Sequence, residues 1–279
     1  MTRIKTLSLI AGTTLLVCSP AAAQEIDTSS TFNGPYASGI IGLSAQPNDR
    51  NETLVFDTTG NGNFNDSVKT VSGANAFSPG FCGGAANGNT PAQGCRSDKD
   101  GLEYFGRIGF DKRAGSFVYG ALVEGGRTEL RDSVSGFSTT PASYTVTRES
   151  DYNINARLRA GYTPNGGVLF YVTGGGAYAK LDNRFTTTNG ANRFTDNGRS
   201  NAWGYQGGGG VEAMVLNNVS IGIEYLYTSL SDDDYVVNVG PGTAGPTNPF
   251  LIQNGQTDLR RSNNDLNTHS LRFTTSFRF

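Results

Sequence analysis

The chain has 279 residues, 36% of them apolar and 16% charged, with a formal net charge of -2. A polyanion binder would be basic, so nucleic acid is not an expected partner. The 38 glycines follow no collagen-like period, and with 16 Phe and 12 Tyr they make a strand-and-loop composition rather than a helical one.

The amino terminus reads as a secretory signal over residues 1–23. Arg3 and Lys5 form a basic start, Leu7 to Val17 an apolar stretch, and Ala21-Ala22-Ala23 a small-residue cleavage site before Gln24. Residues 24–33 are then expected to be a short periplasmic segment. Beyond it no stretch approaches the roughly 18 to 20 apolar residues that a spanning helix needs, so any membrane crossing would be made by a closed barrel.

Period-two alternation marks strands in chain order. The first, 34–46, is blurred by glycine. The second, near 102–111, sets Leu102, Tyr104, Ile108 and Phe110 against Glu103, Arg107 and Asp111. The third, 116–127, sets Phe117, Tyr119, Ala121 and Val123 against Glu124. The fourth, 151–162, is the clearest, with Tyr152, Ile154, Ala156, Leu158, Ala160 and Tyr162 opposite Asn153, Asn155, Arg157 and Arg159. The fifth (168–181) and sixth (201–215, around Trp203, Tyr205 and Glu212) carry the glycine runs Gly174 to Gly176 and Gly207 to Gly210, expected where the wall curves or interior side chains pack closely. The seventh, 219–229, sets Val219, Ile221, Ile223, Tyr225 and Tyr227 against Ser220, Gly222 and Glu224. The last ends the chain, with Leu271, Phe273, Phe277 and Phe279 on one face and Ser270, Arg272, Thr274, Ser276 and Arg278 on the other.

Connections alternate in length. Asp111 to Ser116, Thr163 to Gly167 and Leu216 to Asn218 are short turns, whereas 47–101, 128–150, 182–200 and 230–265 are long and polar. The expected fold over 34–279 is therefore all-β: an eight-stranded antiparallel transmembrane barrel with short periplasmic turns and long extracellular loops. A soluble sandwich or lipocalin-like barrel also alternates. The signal, the aromatics near strand ends and the terminal aromatic favour the outer membrane. Phe273, Phe277 and Phe279 would form the carboxyl-terminal insertion signal read by the barrel-assembly machinery.

An eight-stranded barrel has an interior barely wide enough for side chains. The polar face supplies Glu103, Glu124, Glu212 and Glu224 together with Arg107, Arg157, Arg159 and Arg272, four acids and four bases. Matched charges offset their own desolvation, so a plugged lumen is expected, with a narrow solute channel as the alternative. Asp111 and Arg278 are expected at a solvated periplasmic rim.

Other chemistry finds little footing. Cys18 falls in the signal, and Leu15-Leu16-Val17 is a poor lipidation context. That leaves Cys82 and Cys95 in one Gly-rich loop of an exported chain, where a disulfide is expected. Zinc is the rival, but the single His269 is distant and two thiolates make a poor site. His269 shares parity with the lipid-facing Leu271, so it is expected at the membrane interface rather than as a general base, and no catalytic residue, enzyme activity or cofactor is expected. Asp232-Asp233-Asp234 and the stretch Asp57 to Asp66 invite calcium, but the second lacks the bidentate Glu, and solvated loops without metal are the expectation for both. Gly60-Asn61-Gly62 lacks the following helix of a phosphate-binding loop.

Three segments carry a resemblance: Val172-Thr173-Gly174-Gly175-Gly176-Ala177-Tyr178, Trp203 through Glu212, and Glu224-Tyr225-Leu226-Tyr227, with His269-Ser270-Leu271-Arg272 opening and Phe277-Arg278-Phe279 closing the last strand. Over most of 32–279 the chain resembles the porin-like, opacity-type outer-membrane β-barrels of Gram-negative bacteria, especially alphaproteobacteria. It departs from them in a long first loop with a cysteine pair and in a first strand without an aromatic-rich opening. The resemblance implies a surface-exposed envelope protein or surface antigen, embedded in outer-membrane lipid and lipopolysaccharide, with loops that meet a host or surface ligand.

Overall fold

Alternating side chains leave a sheet with one greasy and one polar face, and here that sheet curls until its first and last strands meet. The computed structural model describes residues 30–46 and 51–279; the signal segment and most of residues 24–33 lie outside the described residues. Among the described residues eight long strands form the wall: β1 (Gly34–Ala45), β2 (Gly101–Ala114), β3 (Phe117–Thr128), β4 (Ala142–Tyr162), β5 (Val168–Thr187), β6 (Arg199–Leu216), β7 (Val219–Ser231) and β8 (Asp265–Arg278). Each pairs antiparallel with its neighbours in sequence. β8 closes on β1 in a register running from Tyr36 opposite Arg278 to Ala45 opposite His269. No wall strand is left with a free edge, which is what lets β-structure sit in hydrocarbon.

Short turns join β2 to β3, β4 to β5 and β6 to β7 at the end that holds the start of β1 and the end of β8. Gly166 in the second of these has φ 77°, a left-handed conformation that glycine adopts without a steric penalty. Outward positions are apolar and open, including Ile41, Ile108, Leu158, Val172, Ile223 and Leu271. Aromatic rings border this band at both ends: Tyr178 packs 4.6 Å from Trp203 above, while Phe117 lies 5.6 Å from Tyr162 and Phe277 5.0 Å from Phe279 below. Their amphipathic or bulky rings suit the lipid–water boundary.

The long connections are not four independent polar loops. β4 begins nine residues before the expected strand, at Ala142, and pairs there with a further strand, Arg131–Ser138, so most of the expected loop 128–150 is a hairpin standing above the membrane. Leu54–Asp57, Thr257–Arg261, Val237–Gly240 and Arg193–Asp196 form a separate antiparallel sheet drawn from three different loops. Between these layers lies a second hydrophobic core that includes Phe56, Phe77, Tyr144, Val237, Phe250 and Leu259. Phe77 sits 4.6 Å from Phe56 and 5.2 Å from Tyr144, ring centre to ring centre. Burying each such side chain contributes about 1.5–3 kcal/mol, enough for the loops to hold a shared extracellular cap.

Cys82 and Cys95 are disulfide-bonded within this cap, with Cα atoms 6.5 Å apart. Cys82 lies on Gly80–Gly83, which pairs with the Arg131–Ser138 strand, so the bond closes the part of the first loop that this pairing fastens to the second. Closing a loop of this size is worth about 3 kcal/mol.

Candidate functional site

The lumen is the place where transport would occur, and it is filled in layers. Residues 30–33 tuck under the barrel rather than hanging free: Thr31 Oγ1 donates to the Gly166 carbonyl at 2.5 Å, and Phe32 is fully buried. Phe32 lies under the Arg278 guanidinium at 4.7 Å, and Arg159 stacks over Tyr36 at 4.7 Å. Above them sits a four-charge layer. Arg159 donates to both oxygens of Asp111 and reaches Glu212 at 3.0 Å, while Arg278 donates to Asp111 at 2.9 Å and to Glu212 at 2.6 Å. Asp111 and Arg278, expected at a solvated rim, are instead buried members of this layer. The reason is that the amino-terminal segment and Tyr36 cover the rim from below.

One turn of alternation higher, β2, β3, β4, β7 and β8 bring six more charges together. Glu124 is their hub. It accepts from Arg107 at 2.9 Å, Arg157 at 2.8 Å and Arg272 at 2.6 Å, with Asn155 adding a bond at 3.1 Å. Arg107 and Arg157 also reach Glu224, at 2.6 and 3.2 Å, and Arg272 reaches Glu103 at 2.6 Å. Tyr171 donates to Glu224 at 3.1 Å. The eight charges read from the sequence are thus all interior, but they divide: Glu103, Arg107, Glu124, Arg157, Glu224 and Arg272 share the upper network, and Arg159 and Glu212 the lower. Gly210 makes room here, since a Cβ at that position would fall 2.7 Å from the Tyr171 hydroxyl. The neighbouring glycines split by parity, with Gly176 facing outward into open space.

Over the six-charge network lies a small cavity of about 40 Å³ with a mixed lining that includes Phe105, Leu130, Arg148, Asn155, Gln206 and Ser270, room for roughly three waters. An apolar collar then narrows the mouth, formed by Leu130, Leu181, Leu230 and Leu266 with Ala177, Ala179 and Ala202.

Above the collar, at the base of the cap, stands a third ion cluster. Arg261 holds Glu52 through two bonds of 2.6 Å and reaches Asp132 at 2.8 Å, while Arg148 donates to Asp132 at 2.5 Å. Arg148 also donates to the carbonyls of Asn264 and Asp265, at 3.2 and 2.7 Å. These four residues come from loops one, two and four. The cluster escapes a sequence reading because Glu52 and Arg261 are 209 residues apart. Only the alternation of Tyr144, Val146 and Arg148 signals that the strand continues beyond the membrane.

The chain is 31% identical over 167 residues to a 22 kDa outer membrane protein of Rhizobium leguminosarum bv. viciae, covering 59% of this chain and 70% of that protein. It belongs to that outer-membrane protein family. No family model matches the chain. Among solved structures, the outer membrane protein OprG of Pseudomonas aeruginosa aligns with 89% of this chain and 98% of its own at 11% identity and a TM-score of 0.49. Neisserial surface protein A aligns with 88% of this chain and 98% of its own at 10% identity and a TM-score of 0.33.

In this outer-membrane protein the remaining candidate residues sit as follows. His269 is on the outer wall, where its Nδ1 lies 2.6 Å from the Tyr225 hydroxyl and its ring packs 5.2 Å from Tyr227. Phe273, Phe277 and Phe279 face outward along β8. Asp57 is buried rather than solvated: its carboxylate receives the backbone amides of Thr59, Gly60, Asn61 and Gly62, the two shortest at 2.7 Å. Burial alone would raise this carboxyl, but the amides of Gly62, Gly60, Asn61 and Thr59 hold it below its usual range. Of the Asp232 to Asp234 run, Asp232 is buried and Asp233 accepts from Asn264 at 2.6 Å.

Asp98 borders the third ion cluster and accepts the Ser133 amide at 2.7 Å. Burial, reinforced by the Asp132 carboxylate, pushes it from 3.8 up to about 6, against the pull of the Ser133 amide. Between those two values the folded cap holds a proton that the unfolded chain has lost, so this group adds stability as pH falls through about 6. Burial raises Glu52 as well and acts in the same direction, whereas Arg261 and Arg148 hold Asp132 low, so its contribution is lost only in strong acid. Protease resistance of the cap is therefore expected to be higher at pH 5 than at pH 7.5. Asp98→Asn should raise resistance at pH 7.5 and shrink the difference; an undiminished difference would assign it elsewhere.

Proposed function

We propose that this protein is a closed, non-catalytic barrel that spans the outer membrane and carries a folded cap at the cell surface, serving envelope integrity and offering that cap for adhesion or host contact. The observation that supports this reading is the filled lumen. Two buried charge layers, each with equal numbers of acids and bases, lie beneath a leucine collar, and a solute would have to break several charge-assisted bonds to pass. The location of His269 on the wall, engaged by a tyrosine hydroxyl and away from the interior carboxylates, supports a non-enzymatic role. The outward Phe273, Phe277 and Phe279 on the strand that closes the barrel support recognition of β8 by the barrel-assembly machinery.

Planar-bilayer recording tests the reading. Protein first shown to be folded by its unboiled gel mobility is expected to give no stable conductance. A steady open level would replace the closed barrel with a narrow porin for small solutes.

A further inference from the structure

On the outside of the cap, above β2 to β5, a groove of about 520 Å³ runs between the first and second loops. Four cations line it: Arg96, Lys99, Arg131 and Arg184. Only two carboxylates share it, and both are engaged, Glu149 with Arg131 at 2.6 Å and Asp98 with the Ser133 amide at 2.7 Å. Among the described residues no carboxylate lies within ion-pair distance of Arg96, Lys99 or Arg184. The floor is built rather than accidental, with a buried hydroxyl pair, Ser135–Thr145 at 2.7 Å, and a half-buried one, Ser133–Thr147 at 3.0 Å.

Position narrows the ligand. Lys99 is three residues above the lipid-facing Leu102, and Glu149 three above the girdle residue Tyr152, so the groove begins about 10 Å along the strands from the hydrocarbon edge. That is headgroup height. The opposite flank, at the top of β7 and β8, instead exposes Asp233, Asp234 and Asp265. An anion approaching the outer leaflet is repelled there and drawn to the β2–β5 side.

We propose that this groove binds a phosphate carried on a sugar, with Arg96, Lys99 and Arg184 supplying the charge-assisted bonds. The inference rests on the outer-leaflet orientation of the cap and not on whether the lumen conducts.

The test uses the full mature protein, refolded and verified by gel mobility, in neutral-lipid nanodiscs. One arm adds a phosphorylated glycolipid to the disc, another adds a soluble glucosamine phosphate, and each is repeated with the dephosphorylated compound. Lys99→Glu/Arg184→Glu, both on exposed side chains, should weaken binding at least ten-fold, with wild-type binding falling as salt rises. Lys69→Glu, an exposed charge change outside the groove, should leave it unchanged. Binding confined to the disc arm assigns the ligand to the bilayer's own headgroups, and binding in both arms assigns it to the sugar phosphate itself. Equal binding of the dephosphorylated compounds, an unaffected double variant, or an equal loss in Lys69→Glu would each overturn the site.

Discussion

Glu124→Ala is expected to destabilise the barrel by about 3–5 kcal/mol, the range for removing one partner of a buried charge set. Its carboxylate serves Arg107, Arg157 and Arg272 at once, so truncation leaves three buried guanidinium groups to share Glu103 and Glu224. The Asp111–Arg159–Glu212–Arg278 set closes the layer below, so water can reach the gap only from the small cavity above, which Asn155 and Arg272 line. The measurement is the urea midpoint of the protein refolded into lipid vesicles, read from the shift in gel mobility. Glu124→Gln keeps the shape and one acceptor and should lose less. Adding Arg157→Leu to Glu124→Ala restores equal numbers of acids and bases and should recover part of the loss. A wild-type midpoint for Glu124→Ala would mean the interior charges contribute nothing to holding the wall together.

The wall was legible because each of its residues obeys a local rule. In β2, β3, β4, β7 and β8 parity alone separates the lipid-facing side chains from the lumen, and the paired acids and bases on the polar face foretell their burial. What was not legible depends on contacts distant in sequence. Asp111 and Arg278 look solvated by their position at strand ends, and they become buried only because Thr31 and Phe32 fold back beneath them. The hairpin of 131–138 with 142–150 reads as a loop because its polar and apolar residues alike are covered in the cap. Val134 and Val146 meet the second core, while Ser133 and Ser135 meet Asp98 and Gly84 of the first loop. Gly210 and Gly176 look equivalent in a glycine-rich stretch, yet one makes room for Tyr171 and the other faces lipid. Glycine content signals the strands but carries no record of which face each glycine occupies.

Arg261→Ala is expected to loosen the cap while leaving the barrel folded, which separates the two cores experimentally. Arg261 is the junction between loops four, one and two, holding the Glu52 carboxylate by two 2.6 Å bonds and donating to the Asp132 carbonyl at 3.3 Å. Its removal strands Glu52 in a buried position and leaves Asp132 with Arg148 alone, again a loss of about 3–5 kcal/mol. The loss falls on the cap because no ion pair joins this cluster to the Glu124 network; the two meet only across the small cavity that Arg148 shares with Glu103 and Arg272. Protease added to whole cells should therefore cut within 51–100 or 230–264 in the variant and not in the wild type. The gel-mobility shift and its urea midpoint should stay within about 0.5 kcal/mol of wild type, as for sites without shared partners. Glu52→Gln combined with Arg261→Met removes both buried charges while keeping much of their volume, and should restore protease resistance. If the barrel melts together with the cap in Arg261→Ala, the two cores form one cooperative unit; if the cap stays resistant, its hydrophobic packing around Phe77 and Tyr144 holds it without the ion cluster.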